Sequence, residues 1–333
     1  MVNPKGTSGL WSRRQMLQWS LAGVGLTGAT LGCQKLNSLG SSKAIAIPPL
    51  PQNLPPVMNN LNPMTVLRDF DYGTVTQENG RTIREFRITA QNTNVQLNSA
   101  VSFITWNFDG RVPGPTLRAK EGDRLRILFF NQSGHAHTMH FHGVHPAAMD
   151  GIKPVRNNQA TIYEFDAEPY GVHLYHCHIA PVTRHVGKGL YGMLIIDPPT
   201  PRPPADEMVL VMGAYDVNDD GKNELYAFNG IPDYYMQHPI PLYQNQLTRV
   251  YLLNMIEWDV AATFHIHANF FDIYPIGMTT KASGRSDVVT LGTTERHILE
   301  FAYSFPGNYM FHPHQDFMAE AGCMGSFEVI PPN

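Results

Sequence analysis

Between His173 and Met193 the chain sets Cys177 between His176 and His178 and follows it with His185. A thiolate and imidazoles at this spacing are ligands for soft and borderline metals, copper foremost. In an extended strand side chains alternate faces, so His176 and His178 share one face and Cys177 takes the other. Two sites are then joined by adjacent residues. The upstream segment HTMHFHG (His137–Gly143) repeats the pattern. His140 and His142 share a face, and His137 has the opposite parity. His137 can therefore join Cys177, while His140 and His142 join His176 and His178.

His137, Cys177 and His185 make the ligand set of a blue, electron-transferring (type 1) copper site. Leu190, five residues after His185, takes the axial position and cannot coordinate, which leaves the copper trigonal and favours Cu(I). Met193 is the alternative axial ligand, but its offset requires a reshaped loop. The second half of the chain supplies His265 and His267 in FHIHANF, and His312 and His314 in YMFHPHQDF. Four His-x-His pairs, two from each half, offer eight imidazoles. That number suits a cluster of several coppers meeting between two domains. Pro313 stands where the first half has Cys177, so the second half has no thiolate of its own.

These motifs resemble the four copper-binding motifs of multicopper oxidases, in the two-domain, laccase-like branch, over roughly residues 60–333. The stretch WNFDGRVPGPTLRAKEGDRLRILFFN (Trp106–Asn131) is similar to the family's Pro-Gly-Pro segment and the Gly-Asp strand after it. The resemblance implies type 2 copper at His140 and His265, and a type 3 pair at His142, His176, His178, His267, His312 and His314. Each functional unit then holds four coppers: one type 1, one type 2 and two type 3. A phenolic, aromatic or metal-ion reductant is expected to give up electrons near an exposed edge of His185. They would pass through Cys177 to His176 and His178, and dioxygen would be reduced to water. Proton delivery needs a carboxylate: Asp150 is the first candidate, Asp316 and Glu320 the alternatives. The resemblance also implies a homotrimer, with domain 1 of one chain meeting domain 2 of the next across each cluster.

One departure is the eight-residue step from Cys177 to His185, longer than in three-domain laccases and closer to copper nitrite reductases. Copper nitrite reductase is accordingly the alternative enzyme. It would leave His178, His267 and His314 unexplained, and His140 stands where that family carries an acidic residue. From a different class, a periplasmic copper-binding or electron-transfer protein fits the ligands but not their linkage. His135, His145, His173, His238 and His297 read as structural histidines.

The elements that must position these ligands are strands. The 333 residues are 43% hydrophobic and 16% charged, with 28 Gly and 26 Pro, the composition of a turn-rich β protein. A net charge of -4 argues against a nucleic-acid partner. Strand-like runs include TIREFRITA, AVSFITWNF, RLRILFFN, ATIYEFDA, TRVYLLNMI, HILEFAY and SFEVI. The expected fold is all-β: two tandem cupredoxin-like Greek-key sandwiches over residues 61–199 and 207–333, after a leader and tail at 1–60. DPPTPRPPADE (Asp197–Glu207) reads as a stiff connector that joins neither sheet.

SRRQML (Ser12–Leu17) is a twin-arginine pattern before an apolar run, which predicts export to the periplasm or cell surface of a bacterium. Cys33 resembles a lipoprotein acceptor site, and cleavage after Ala44-Ile45-Ala46 is the alternative. Cys323 reads as a small buried residue. DVNDDGKNE (Asp216–Glu224) imitates the start of a calcium loop, but position twelve is Ala227, so a hairpin turn with solvated carboxylates is the better reading.

Overall fold

The computed structural model describes residues 62–332. The twin-arginine pattern, Cys33 and the cleavage site lie outside them. The first half contains β1 (Phe70–Asp71), β2 (Thr74–Glu78), β3 (Arg81–Gln96), β4 (Ser102–Phe108), β5 (Thr116–Lys120), β6 (Arg124–Asn131), β7 (His140–Phe141), β8 (Gln159–Asp166), β9 (Gly171–His176) and β10 (Tyr191–Asp197). One sheet has the order β1-β5-β10-β9-β7; the facing one runs β2-β3-β6-β8, with β4 paired to β3. Leu125, Ile127 and Phe129 of β6 alternate into the space between them, against Leu117, Phe141, Tyr175 and Leu194.

The second half repeats the plan with β11 (Asp206–Tyr215), β12 (Leu225–Phe228), β13 (Ile240–Tyr243), β14 (Thr248–Asn254), β15 (Ala261–Ile266), β16 (Phe271–Pro275), β17 (Gly284–Ser286), β18 (Val288–Gly292), β19 (Arg296–Phe301), β20 (Gly307–His312) and β21 (Gly325–Ile330). Their sheets have the orders β12-β11-β14-β19-β16-β17 and β13-β21-β20-β15-β18. The architecture is tandem cupredoxin-like β-sandwiches. A third apolar cluster lies between the halves, where Leu174, Tyr191, Met193 and Ile195 meet Val209, Val211, Tyr251 and Leu253. Strand β10 thus has both faces buried, which explains its nearly unbroken apolar sequence.

Two boundaries differ from the sequence expectation. The segment 62–68, assigned to the first sandwich, packs on the second: Leu67 is buried in the second core, and the Tyr235 hydroxyl donates to the Pro63 carbonyl. Leu67 is fully buried there, so its apolar side chain anchors the segment to the second sandwich. The Pro-rich connector is also shorter than expected, because Asp197, Asp206 and Glu207 lie in β10 and β11. Arg118 of β5 joins the sandwiches: it pairs with both Asp197 (2.9 Å) and Glu207 (2.6 Å), and Glu207 also accepts from Arg249 (2.8 Å). Asp216–Glu224 forms the β11–β12 turn, as expected. Its carboxylates are not all solvated, since Asp216 is buried and accepts the backbone N–H of Asp220 and Gly221.

Candidate metal centre

Strand register builds the site. In the antiparallel pair β7/β9, His140 lies opposite His176 and Phe141 opposite Tyr175. Directly opposed residues share a face, so Phe141 and Tyr175 enter the core while His140 and His176 face away from it. Cys177 continues the core parity of Tyr175 and is fully buried in the first sandwich.

There Sγ of Cys177 lies 3.6 Å from Nδ1 of His137 and 3.2 Å from Nδ1 of His185, and the two nitrogens are 3.1 Å apart. The circle through these three atoms has a radius of about 1.9 Å, close to the roughly 2.0–2.3 Å bonds that first-row metals make to N and S. The donors therefore fit one metal ion in trigonal array. Leu190 packs in the same cluster as Cys177, and its carbonyl accepts the Cys177 N–H (3.0 Å), whereas Met193 belongs to the cluster between the halves. Helix α1 (Val182–Gly187) carries His185 inward. His185 is only 6% exposed, contrary to the exposed edge expected, because the helix turns its ring toward Cys177 and under Trp106.

Burial, with repulsion from His185 and His135, lowers His137 to about 3; burial, then His135 and Arg184, lowers His185 to about 4. Both are neutral, ligand-ready imidazoles at physiological pH. Burial pushes the Cys177 thiol up, so a metal must displace its proton.

The remaining histidines form two matching groups. In the first, Nε2 of His142 lies 2.9 Å from Nε2 of His176, with His140 and His178 stacked beside them. In the second, Nε2 of His267 lies 3.0 Å from Nε2 of His312, next to His265 and His314. The outer nitrogens repeat as well. Nδ1 of His140 and His265 meet the carbonyls of Asp150 (3.0 Å) and Asp287 (2.8 Å). Nδ1 of His176 and His312 meet those of Cys177 (2.8 Å) and Pro313 (2.7 Å). Donation through Nδ1 fixes the tautomer and leaves Nε2 free for a metal. Burial, then the neighbouring His176, lowers His142 to about 3; burial lowers His176 to about 4. No ring contact joins the two groups among the described residues.

A repeat overlooked in the sequence completes each group. Thr138 and Thr263 stand two residues before His140 and His265, as T-x-H-x-H. Their hydroxyls accept the N–H of His178 (3.1 Å) and His314 (2.6 Å). Asp287 was also missed, since it is remote from His265 in sequence. Of the proton-relay candidates, Asp150 places its carboxylate 3.0 Å from Nδ1 of His140 and 3.5 Å from Nε2 of His145. His145 therefore lies beside the site instead of apart from it. Gly151 permits this approach: with φ at +74°, a Cβ there would stand 2.3 Å from the Met139 carbonyl oxygen. Asp316 and Glu320 lie exposed on α2 (Asp316–Glu320). His173 is buried between the carbonyls of His142 and Pro169.

A thiolate–imidazole site inside one of two cupredoxin-like sandwiches, wired to an adjacent imidazole group, defines a copper protein of the cupredoxin class. Multicopper oxidase profiles match residues 89–201 and 201–333. A crystal structure of a multicopper oxidase is 45% identical, with a TM-score of 0.80, covering 81% of this chain and 97% of that one. The chain belongs to the multicopper oxidase family, and copper is the metal its donors serve. It is also 26% identical to the copper-containing nitrite reductase of Neisseria gonorrhoeae, over 71% of this chain and 65% of that protein. The chain thus spans slightly less than two thirds of that relative's length. The copper nitrite reductase of Nitrosomonas europaea shares the fold, with a TM-score of 0.70 at 24% identity over 74% of this chain and 94% of that one.

Proposed function

We propose that the protein is a laccase-like oxidase that couples one-electron oxidation of a small reductant to four-electron reduction of dioxygen to water. His137, Cys177 and His185 hold type 1 copper; His140 and His265 hold type 2 copper. His142, His176, His178, His267, His312 and His314 hold the type 3 pair. Copper bound at these sites supplies the one-electron steps and the dioxygen chemistry. Cys177 joins the thiolate site to His176 and His178 by the backbone, the shortest covalent route between them. Asp150 holds the His140 ring in place and is positioned to pass protons, with His145 beside it.

The observation that carries this reading is the pair of matched four-histidine groups, one on each sandwich and each half a site. They favour a homotrimer in which one chain's first group meets its neighbour's second, a heterologous contact that closes into a ring. Export by the twin-arginine route to the periplasm or cell surface, with Cys33 lipidated or removed with the leader, belongs to the same proposal.

Copper content, visible absorption and paramagnetic resonance of the full-length protein test it. About four coppers per chain are expected, with a blue band, a type 2 signal and a near-ultraviolet type 3 shoulder. The likeness to nitrite reductases favours a second reading. Two coppers per chain without the type 3 shoulder would point to a nitrite reductase or a copper carrier and remove the roles given to His178, His267 and His314.

A further inference from the structure

The thiolate site is closed to direct contact, since His137 is fully buried and His185 nearly so. Trp106 of β4, half-buried, packs against both histidine rings. The indole centroid lies 5.0 Å from the His185 ring in edge-to-face geometry, and 5.6 Å from His137. The indole also lies 4.5 Å, at a 35° tilt, from the ring of His135, which is exposed. Two residues along β4, on the same face, Ile104 is 60% exposed. The Trp106 backbone N–H donates to the Lys188 carbonyl (3.0 Å), and the Arg184 guanidinium lies 5.9 Å from the indole centroid. An aromatic series thus leads from solvent to a buried ligand: His135, Trp106, His185.

We propose that Trp106, flanked by His135 and Ile104, is the docking platform and electron port for an electron-rich aromatic reductant, a phenol or aromatic amine. The inference rests on the copper-oxidase reading above. The reductant's ring stacks against this aromatic and apolar surface and loses one electron, which crosses the indole to His185 and the site that His185 serves. A phenol releases its proton to solvent, and no bond to the protein forms or breaks. Hydrated Cu(I) or Fe(II) has no ring to stack, so this surface selects the aromatic class.

Two measurements test the proposal, with 2,6-dimethoxyphenol as the probe. In the copper-free full-length protein the phenol should quench tryptophan fluorescence saturably. W106F should remove that component, and H135A should weaken it about tenfold, the scale of one lost aromatic contact. In the copper-loaded protein, mixed anaerobically, W106F should slow bleaching of the blue band by subsaturating phenol about tenfold, while bleaching by Fe(II) stays within about twofold. If W106F disturbs the blue band, H135A and I104E at their exposed positions carry the same comparison; slower bleaching by phenol supports the platform. Unchanged phenol bleaching in the variants, or faster bleaching in W106A, would overturn it by showing direct access to His185. A wild-type band that dithionite bleaches and the phenol does not would also overturn it. A copper-loaded wild type with no blue band would instead defeat the oxidase reading.

Discussion

Thr138 and Thr263 occupy one geometric role twice, each accepting the N–H of the last histidine in its group. Replacing Thr263 by Val keeps the shape and removes the acceptor. T263V should weaken copper binding at the imidazole cluster by about 10–100-fold, as loss of an outer hydrogen-bond partner commonly does, while leaving the blue band intact. Copper titration monitored by type 3 absorption measures this; loss of the blue band alone would contradict it. Leu190 supports a second prediction, because its side chain packs in the same cluster as Cys177. L190M brings a thioether to the axial position and should lower the midpoint potential of the blue site. Potentiometric titration of the blue band would refute this by returning an unchanged or higher value.

At the scale of elements, β5, β10, β11, β14 and β19 are tied by Arg118, Asp197, Glu207, Arg249 and Glu300. Burial pushes Glu207 up, but its bonds to Arg118, Arg249 and Tyr251 outweigh that and hold it down at about 2. A carboxyl lowered by folding contributes stability that is present above its unfolded value and is lost as pH falls through its folded one. The Glu207 contribution should therefore be complete above about pH 4.5 and fade toward pH 2. E207Q should cost about 3 kcal/mol near neutral pH and flatten this acid limb. Denaturant melts across the pH range check both; an unchanged acid limb would contradict the assignment. This network also shows what the sequence could not reveal. Strand-like composition exposed β3, β4, β6, β8, β14, β19 and β21, some half-buried and others, such as β6 and β14, buried almost throughout. It missed β10 and β11, which flank the Pro-rich connector, and the two-residue ligand strand β7. The candidate ligand groups were legible because strand parity sorts thiolate from imidazole. Trp106, Asp287 and the contact between Asp150 and His145 were not, since each depends on how loops from distant strands return to the site.

In the whole molecule the two sandwiches do different work. The first encloses the thiolate site and bears one imidazole group on the adjacent strands β7 and β9; the second bears only imidazoles, with Pro313 where a thiolate would be. If each dioxygen site is built by two neighbouring chains, a monomeric preparation should keep its blue band and lose oxygen consumption. Size-exclusion fractions assayed with an oxygen electrode would show this, and an active monomer would refute it. The most direct measurement is co-expression of two defective chains: H140A/H142A, with an intact second group, and H265A/H267A, with an intact first group. Neither alone should consume oxygen. Random assembly of equal amounts should restore about a quarter of the sites, because only one pairing in four brings both intact groups together. Recovery near that fraction is the expected result. No recovery from a mixed, copper-loaded trimer, or activity in either variant alone, would contradict a dioxygen site shared between chains.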